Sequence, residues 1–158
     1  MSVIKTDSLF KENLVKINQN SDSKSDFFKE VSVWLNKQGY VTESFGEAIY
    51  NREIEFPTGL HTASFDVAIP HTDPQYIIDP FIAVVRPDKP IAFKEMGNLN
   101  NEIAARLIFV IGFKKGEDQL EILKRLMAMF NDQEVMNRYM SLNKEEEIFS
   151  ELVNYFKK

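Results

Sequence analysis

Apolar residues recur along this chain at two spacings, and the switch between them divides it into regions. Val3-Ile4 and Leu14-Val15-Lys16-Ile17 are short runs of strand type, and residues 18–25 form a polar, serine-rich loop. Phe28, Val31 and Leu35 then repeat at helical spacing with Trp34 beside them, so a helix is expected with Ser25 or Asp26 as N-cap and Gly39 as its stop. A second helix is expected from near Thr42 towards Phe56, with Phe45, Ile49 and Phe56 facing inward. Pro57 ends it, because the residue before a proline is pushed out of the α region.

Strand patterns take over at residues 65–69, which lead into Pro70-His71, with Asp73-Pro74 continuing the turn. Residues 81–85 read as a buried strand stopped by Pro87 and Pro90, and residues 97–101 as a polar loop. Residues 107–111 are the clearest buried strand, closed by Gly112 and Lys114-Lys115-Gly116. Three helical segments follow. Leu120, Leu123, Met127 and Phe130 mark the inward stripe of the first, and Asn131-x-x-Glu134 and Asn143-x-x-Glu146 have the form of capping boxes for the next two. Ile148, Leu152, Tyr155 and Phe156 give the last its apolar face. Helices before and after a central group of strands predict an α/β fold, a mixed central β-sheet flanked by α-helices. No repeat or linker divides residues 1–158, so a single domain is expected.

Composition removes several classes of function. A net charge of −5 argues against nucleic acid and anionic membranes as partners, since both call for a basic face. With no cysteine there is no disulfide scaffold, cysteine metal site or thiol nucleophile. Apolar runs such as residues 107–111 fall far short of the ~20 residues of a membrane-spanning helix. The N-terminus lacks the basic-then-apolar order of a signal peptide, so a cytoplasmic location without membrane insertion is expected.

The available chemistry is narrow. His61 and His71 could join Asp66 and Asp73, but no spacing matches a zinc or calcium pattern, and no metal is expected. No cofactor is expected either, because the chain lacks a glycine-rich phosphate loop and a dinucleotide fingerprint. No G-x-S-x-G elbow is present. His61 sits in a loop with no evident partner and reads as a turn residue. What remains is His71, presented at a strand end by a proline that fixes its own φ and donates no ladder hydrogen bond. Histidine can act as a covalent nucleophile, with a hydrogen bond on one ring nitrogen selecting the other for attack.

The stretch Arg52-Glu53-x-Glu55-Phe56-Pro57-Thr58-Gly59-Leu60, followed eleven residues after Leu60 by the end of Val67-Ala68-Ile69-Pro70-His71, resembles the enzyme IIA component of the bacterial phosphotransferase sugar-uptake system (PTS). Within the fructose–mannitol superfamily, it is most similar to the galactitol type. The resemblance runs from about Val41 to Phe156 and includes Val84-Val85-Arg86-Pro87 and Asp118-Gln119-Leu120. It implies a mixed sheet flanked by helices. His71 would receive a phosphoryl group from the histidine-containing phosphocarrier protein and pass it to a IIB component, which phosphorylates the sugar with the membrane IIC component. Arg52 matches a family arginine near the phosphohistidine, although a solvated helix charge explains it equally. Gln119 stands where mannitol and fructose types carry a second histidine; it can donate a hydrogen bond but carries no proton or charge. Thr58 and Thr72 are further candidate phosphate contacts. Phe65 and Ile69 are candidates for a docking rim or for the core. A transport relay for galactitol or a related sugar and a regulatory phospho-acceptor that signals carbon status share this chemistry, and both stay open.

Overall fold

The computed structural model describes residues 5–157, so the expected strand at Val3-Ile4 lies outside the described residues. Among them, seven strands form one mixed sheet: β1 (Phe10–Gln19), β2 (Gly59–Leu60), β3 (Val67–Ala68), β4 (Phe81–Pro87), β5 (Ile91–Glu95), β6 (Asn98–Ala105) and β7 (Leu107–Gly112). Their spatial order is β1-β4-β7-β3-β2-β5-β6. Parallel and antiparallel pairs alternate across it: β1 with β4, β7 with β3 and β2 with β5 are parallel, and the rest antiparallel. Helices α1 (Lys24–Lys37) and α2 (Phe45–Glu55) cover one face; α3 (Gly116–Phe130), α4 (Gln133–Ser141) and α5 (Glu145–Lys157) cover the other.

The period-2 geometry of a strand explains the two cores. Along β7, Leu107, Phe109 and Ile111 pack with α3–α5, while Ile108 and Val110 pack with α1 and α2. Ile82 and Val84 of β4 follow the first set; Phe81, Ala83 and Val85 follow the second. Strands buried on both faces read as unbroken apolar runs, which is why these two stand out in the sequence.

Several element ends differ from expectation. Strand β1 runs from Phe10, well before Leu14, because its whole length lies beside β4. Ser23 caps α1, accepting from the Asp26 amide at 3.1 Å. Phe56 is not in the core: its amide closes α2 on the Arg52 carbonyl, and its ring is 54 % exposed. Residues 98–101 are not a loop but the start of β6, with Gly97 (φ +78°) turning the β5–β6 hairpin. In that hairpin Ile91, Phe93, Ile103 and Ala105 face the α1–α2 core, so its outer face is free to be polar. The inward stripe of α3 is Ile122, Leu126, Met129 and Phe130, whereas Leu120 is 73 % exposed. Asn131 ends α3, and Asp132 caps α4 by accepting from the Val135 amide at 3.2 Å. Helix α5 likewise starts one residue late, the Glu147 and Ile148 amides bonding the Lys144 carbonyl. Arg86 finishes β4 by donating to the Tyr139, Met140 and Leu142 carbonyls, which ties the end of α4 to the sheet.

Two features of the segment 53–59 position what lies above it. Gly59 enters the sheet so closely that a Cβ there would stand 2.6 Å from the Lys94 carbonyl oxygen and from Ile103. Glu53, on the last turn of α2, is 2 % exposed, and its carboxylate accepts from the Thr58 amide at 2.7 Å and the Thr58 hydroxyl at 2.8 Å. Burial pushes its pKa from 4.5 up to about 7, against the lowering effect of both Thr58 bonds and of the Lys24 charge.

Gly59→Ala is expected to destabilise the fold by about 1–3 kcal/mol in urea unfolding, because the obstacle is backbone rather than a mobile side chain. Glu53 binds its proton more tightly folded than unfolded, so its contribution to stability is full below pH 4.5 and is lost as pH rises through about 7. Between pH 5 and pH 8, wild type is therefore expected to lose about 2–3 kcal/mol more stability than Glu53→Gln, read from urea midpoints at the two pH values.

Candidate functional site

Three separate elements meet at His71. The chain leaving β3 stays against β7: the Ile111 amide donates to the Pro70 carbonyl at 3.0 Å, and His71 bridges Ile111 in parallel. The last turn of α2 supplies Arg52, and the first turn of α3 supplies Gln119. Gln119 shares a helix face with Ile122 and Leu126, three and seven residues on, so the stripe that seats α3 on the sheet also aims this amide at the imidazole.

Both ring nitrogens of His71 are engaged. Nδ1 lies 2.9 Å from the Ile69 carbonyl oxygen, which can only accept, so Nδ1 carries the proton and donates it. Nε2 then holds the lone pair, and the Gln119 side-chain amide nitrogen donates towards it across 3.3 Å. The Phe113 ring stands behind at 6.1 Å between centroids. Burial holds the His71 pKa below the usual 6.5, and the Arg52 charge pushes it the same way; the Ile69 hydrogen bond and Asp73 pull it back up. At neutral pH the ring is therefore uncharged, with one nucleophilic nitrogen pointing outward from the pinned side.

The Arg52 guanidinium lies over the Phe56 ring, 5.1 Å from its centroid, with Nη1 4.0 Å from Asp73 Oδ1. Both partners are exposed, so neither fixes it rigidly. Arg52, Phe56, Thr72 and Asp73 line a cleft of ≈ 280 Å³ that opens one residue beyond the imidazole. Thr72 is buried in its wall. A cleft with a cation in its wall is suited to a small anion.

Thr58 lies beneath the site rather than in it. It is 5 % exposed, its hydroxyl hydrogen is given to Glu53, and its oxygens accept from the Ile69 amide. Sequence reasoning overlooked Glu53, since nothing marks one carboxylate among 24 as the buried one. His61 does have partners: Nδ1 lies 2.7 Å from Asp66 Oδ1 and Nε2 3.8 Å from Glu95, and Asp66 raises its pKa. Phe65 and Ile69 are both buried core residues. Exposed apolar side chains beside the site's residues are instead Phe56, under Arg52, and Leu120, next to Gln119 in the chain. Among the described residues no three histidine, aspartate or glutamate side chains gather as they would to hold a metal ion. No described helix is long and apolar enough to cross a membrane.

The chain is similar to several known proteins. The galactitol-specific EIIA component of Escherichia coli K12 is 23 % identical over 135 residues, 85 % of this chain and 86 % of that protein. The mannitol-specific enzyme IIA component of Bacillus subtilis is 28 % identical over 145 residues, 90 % of this chain and 94 % of that one. Among solved structures, the mannitol enzyme IIA of Escherichia coli in complex with phosphorylated enzyme IIB superposes with a TM-score of 0.72 at 18 % identity, covering 92 % of this chain and 99 % of that one. The family model described as "Phosphoenolpyruvate-dependent sugar phosphotransferase system, EIIA 2" matches residues 8–155. This chain thus belongs to the EIIA 2 family of the phosphoenolpyruvate-dependent sugar phosphotransferase system, whose IIA components are phosphotransferases that pass phosphate to a IIB component.

Proposed function

We propose that His71 Nε2 is the phosphoryl acceptor and donor of this carrier, charged by the histidine-containing phosphocarrier protein and discharged to a IIB component that works with a membrane IIC component. The observation that carries this reading is the Nδ1–H bond to the Ile69 carbonyl, which leaves Nε2 unprotonated beside an arginine. In the charging step the lone pair of Nε2 attacks phosphorus in line; the N–P bond of the donor breaks and its electron pair stays on the donor imidazole. No proton needs to move on His71, because Nδ1 keeps its hydrogen throughout. In the discharging step a IIB nucleophile takes the phosphorus and the electron pair returns to Nε2.

Arg52 swings over the cleft to balance the charge on the phosphoryl oxygens, where positioning and electrostatics do most of the catalysis. Gln119, whose amide rests on Nε2 in the free protein, turns that hydrogen to a phosphoryl oxygen once Nε2 is occupied. Thr72 lines the same wall as a further contact. Phe56 and Leu120 form an apolar rim on which the two partner proteins dock in turn. The sequence relatives, galactitol-specific and mannitol-specific by name, support galactitol or a related polyol as the sugar that the whole system takes up.

Intact mass after incubation with phosphoenolpyruvate, Mg²⁺, enzyme I and the phosphocarrier is expected to show one acid-labile phosphoryl group, lost in His71→Ala and kept in His61→Ala. No gain in wild type with a competent donor would sink the proposal. Arg52→Gln is expected to slow transfer about 10²-fold, as loss of one charge contact to the transition state does, and Gln119→Ala about fivefold, the size of a neutral hydrogen bond. The acceptor rate is expected to fall on the acid side of the ordinary imidazole range, as a proton takes the Nε2 lone pair. Leu120→Glu is expected to raise the KM for protein partners while leaving the thermal midpoint unchanged.

A further inference from the structure

We propose that Glu53 is a positioning residue for His71, acting through Thr58 and the Ile69 backbone to hold the carbonyl that selects the imidazole tautomer. The inference rests on the reading of His71 as the phosphoryl acceptor. Its starting point is a buried carboxylate with no part in the chemistry above. Glu53 is 2 % exposed on the last turn of α2, and burying a carboxylate is costly unless hydrogen bonds compensate. Both Glu53 oxygens are used on one residue: Oε2 accepts from the Thr58 amide at 2.7 Å and Oε1 from the Thr58 hydroxyl at 2.8 Å. A two-point grip of this kind fixes the orientation of Thr58 as well as its place.

Thr58 passes the constraint on. The Ile69 amide is shared between the Thr58 carbonyl and the Thr58 hydroxyl oxygen, each at 3.3 Å. Because the hydroxyl hydrogen points at Glu53, its lone pairs are free to face Ile69. On the far side of the Ile69 carbonyl, Pro70 restricts the Ile69 backbone to extended geometry, and the Pro70 carbonyl is itself fixed by the Ile111 amide at 3.0 Å. The Ile69 carbonyl sits between two clamped points, so it has one direction available, towards His71 Nδ1 at 2.9 Å. Releasing the Thr58 clamp frees that carbonyl to turn. The ring then loses its preference for Nδ1–H, and the competing Nε2–H form has no lone pair where the phosphoryl group arrives.

Arg52 and Glu53 are consecutive and point different ways. Arg52 lines the cleft, and Glu53 lies buried beneath it on Thr58. One turn of helix thus delivers a cation to the cleft and an anchor to Thr58. A simple stabilising role for Glu53 would leave the tautomer untouched, and the difference is measurable.

The experiment is long-range ¹⁵N–¹H correlation NMR on the full, unphosphorylated chain at a pH where His71 is neutral, comparing wild type with Glu53→Gln, Thr58→Val and Thr58→Ser. Wild type is expected to show the Nδ1–H form. The ratio of Nδ1–H to Nε2–H should fall about threefold to tenfold in Glu53→Gln and Thr58→Val, the size of one net hydrogen bond, and Thr58→Ser, which keeps the hydroxyl, should restore it. The phosphoryl-acceptance rate should fall by the same factor as the tautomer ratio. An unchanged ratio in folded Glu53→Gln and Thr58→Val overturns the proposal, and so does a Thr58→Ser ratio as low as that of Thr58→Val. Should Glu53→Gln fail to fold, Thr58→Val reads the same link one bond further on. Failure of the phosphoryl-carrier reading shows separately, as no mass gain in wild type, while the tautomer measurement still stands.

Discussion

The hydrogen bond from His71 Nδ1 to the Ile69 carbonyl is the constraint on which the rest of the site depends. A free imidazole exchanges its proton between two nitrogens, and only one of the two forms presents a nucleophile outward. Placing a carbonyl two residues back along the chain removes that ambiguity at the expense of a rigid backbone. The sheet provides the rigidity: residues 69–71 run beside β7 and are tied to it at Ile111. Segment 58–60 runs along their other side through the β2–β3 pairing. The mixed strand order, with β3 between β7 and β2, is what places both clamps on so short a segment.

Electrostatics around the ring are balanced rather than extreme. Burial and Arg52 keep the imidazole neutral, while the Ile69 carbonyl and Asp73 oppose them, so the pKa is lowered without the nitrogen losing its basicity altogether. A carrier needs that balance, because it must accept a phosphoryl group and give it up to a second protein. Gln119 fits the same requirement: its amide donates to Nε2 without adding a second titrating base beside it.

Much of this was legible in the sequence where burial is complete. Strands β4 and β7 show as unbroken apolar runs, and Phe28, Val31 and Leu35 mark the inward face of α1 without ambiguity. The β5–β6 hairpin was not legible, because its outer face is polar and Asn98 to Asn101 carries no apolar residue but Leu99. Helix α3 has apolar residues on more than one face, so periodicity pointed to Leu120, Leu123, Met127 and Phe130, whereas the sheet it covers buries Ile122, Leu126, Met129 and Phe130. The strand end at Pro70-His71 was readable because a proline there is a local signal. The Glu53–Thr58 grip was not, since the depth of a carboxylate depends on the whole fold above it.

The residues that converge here lie on α2, on the segment after β3 and on α3, so Arg52 and Gln119 are far apart along the chain. During synthesis, a ribosome-bound fragment ending before residue 119 holds the histidine without one of its neighbours. The reactive centre is therefore assembled late, after α3 emerges and docks. A truncated or stalled product would carry His71 but lack the Gln119 contact on its ring, which separates possession of the histidine from possession of its full setting.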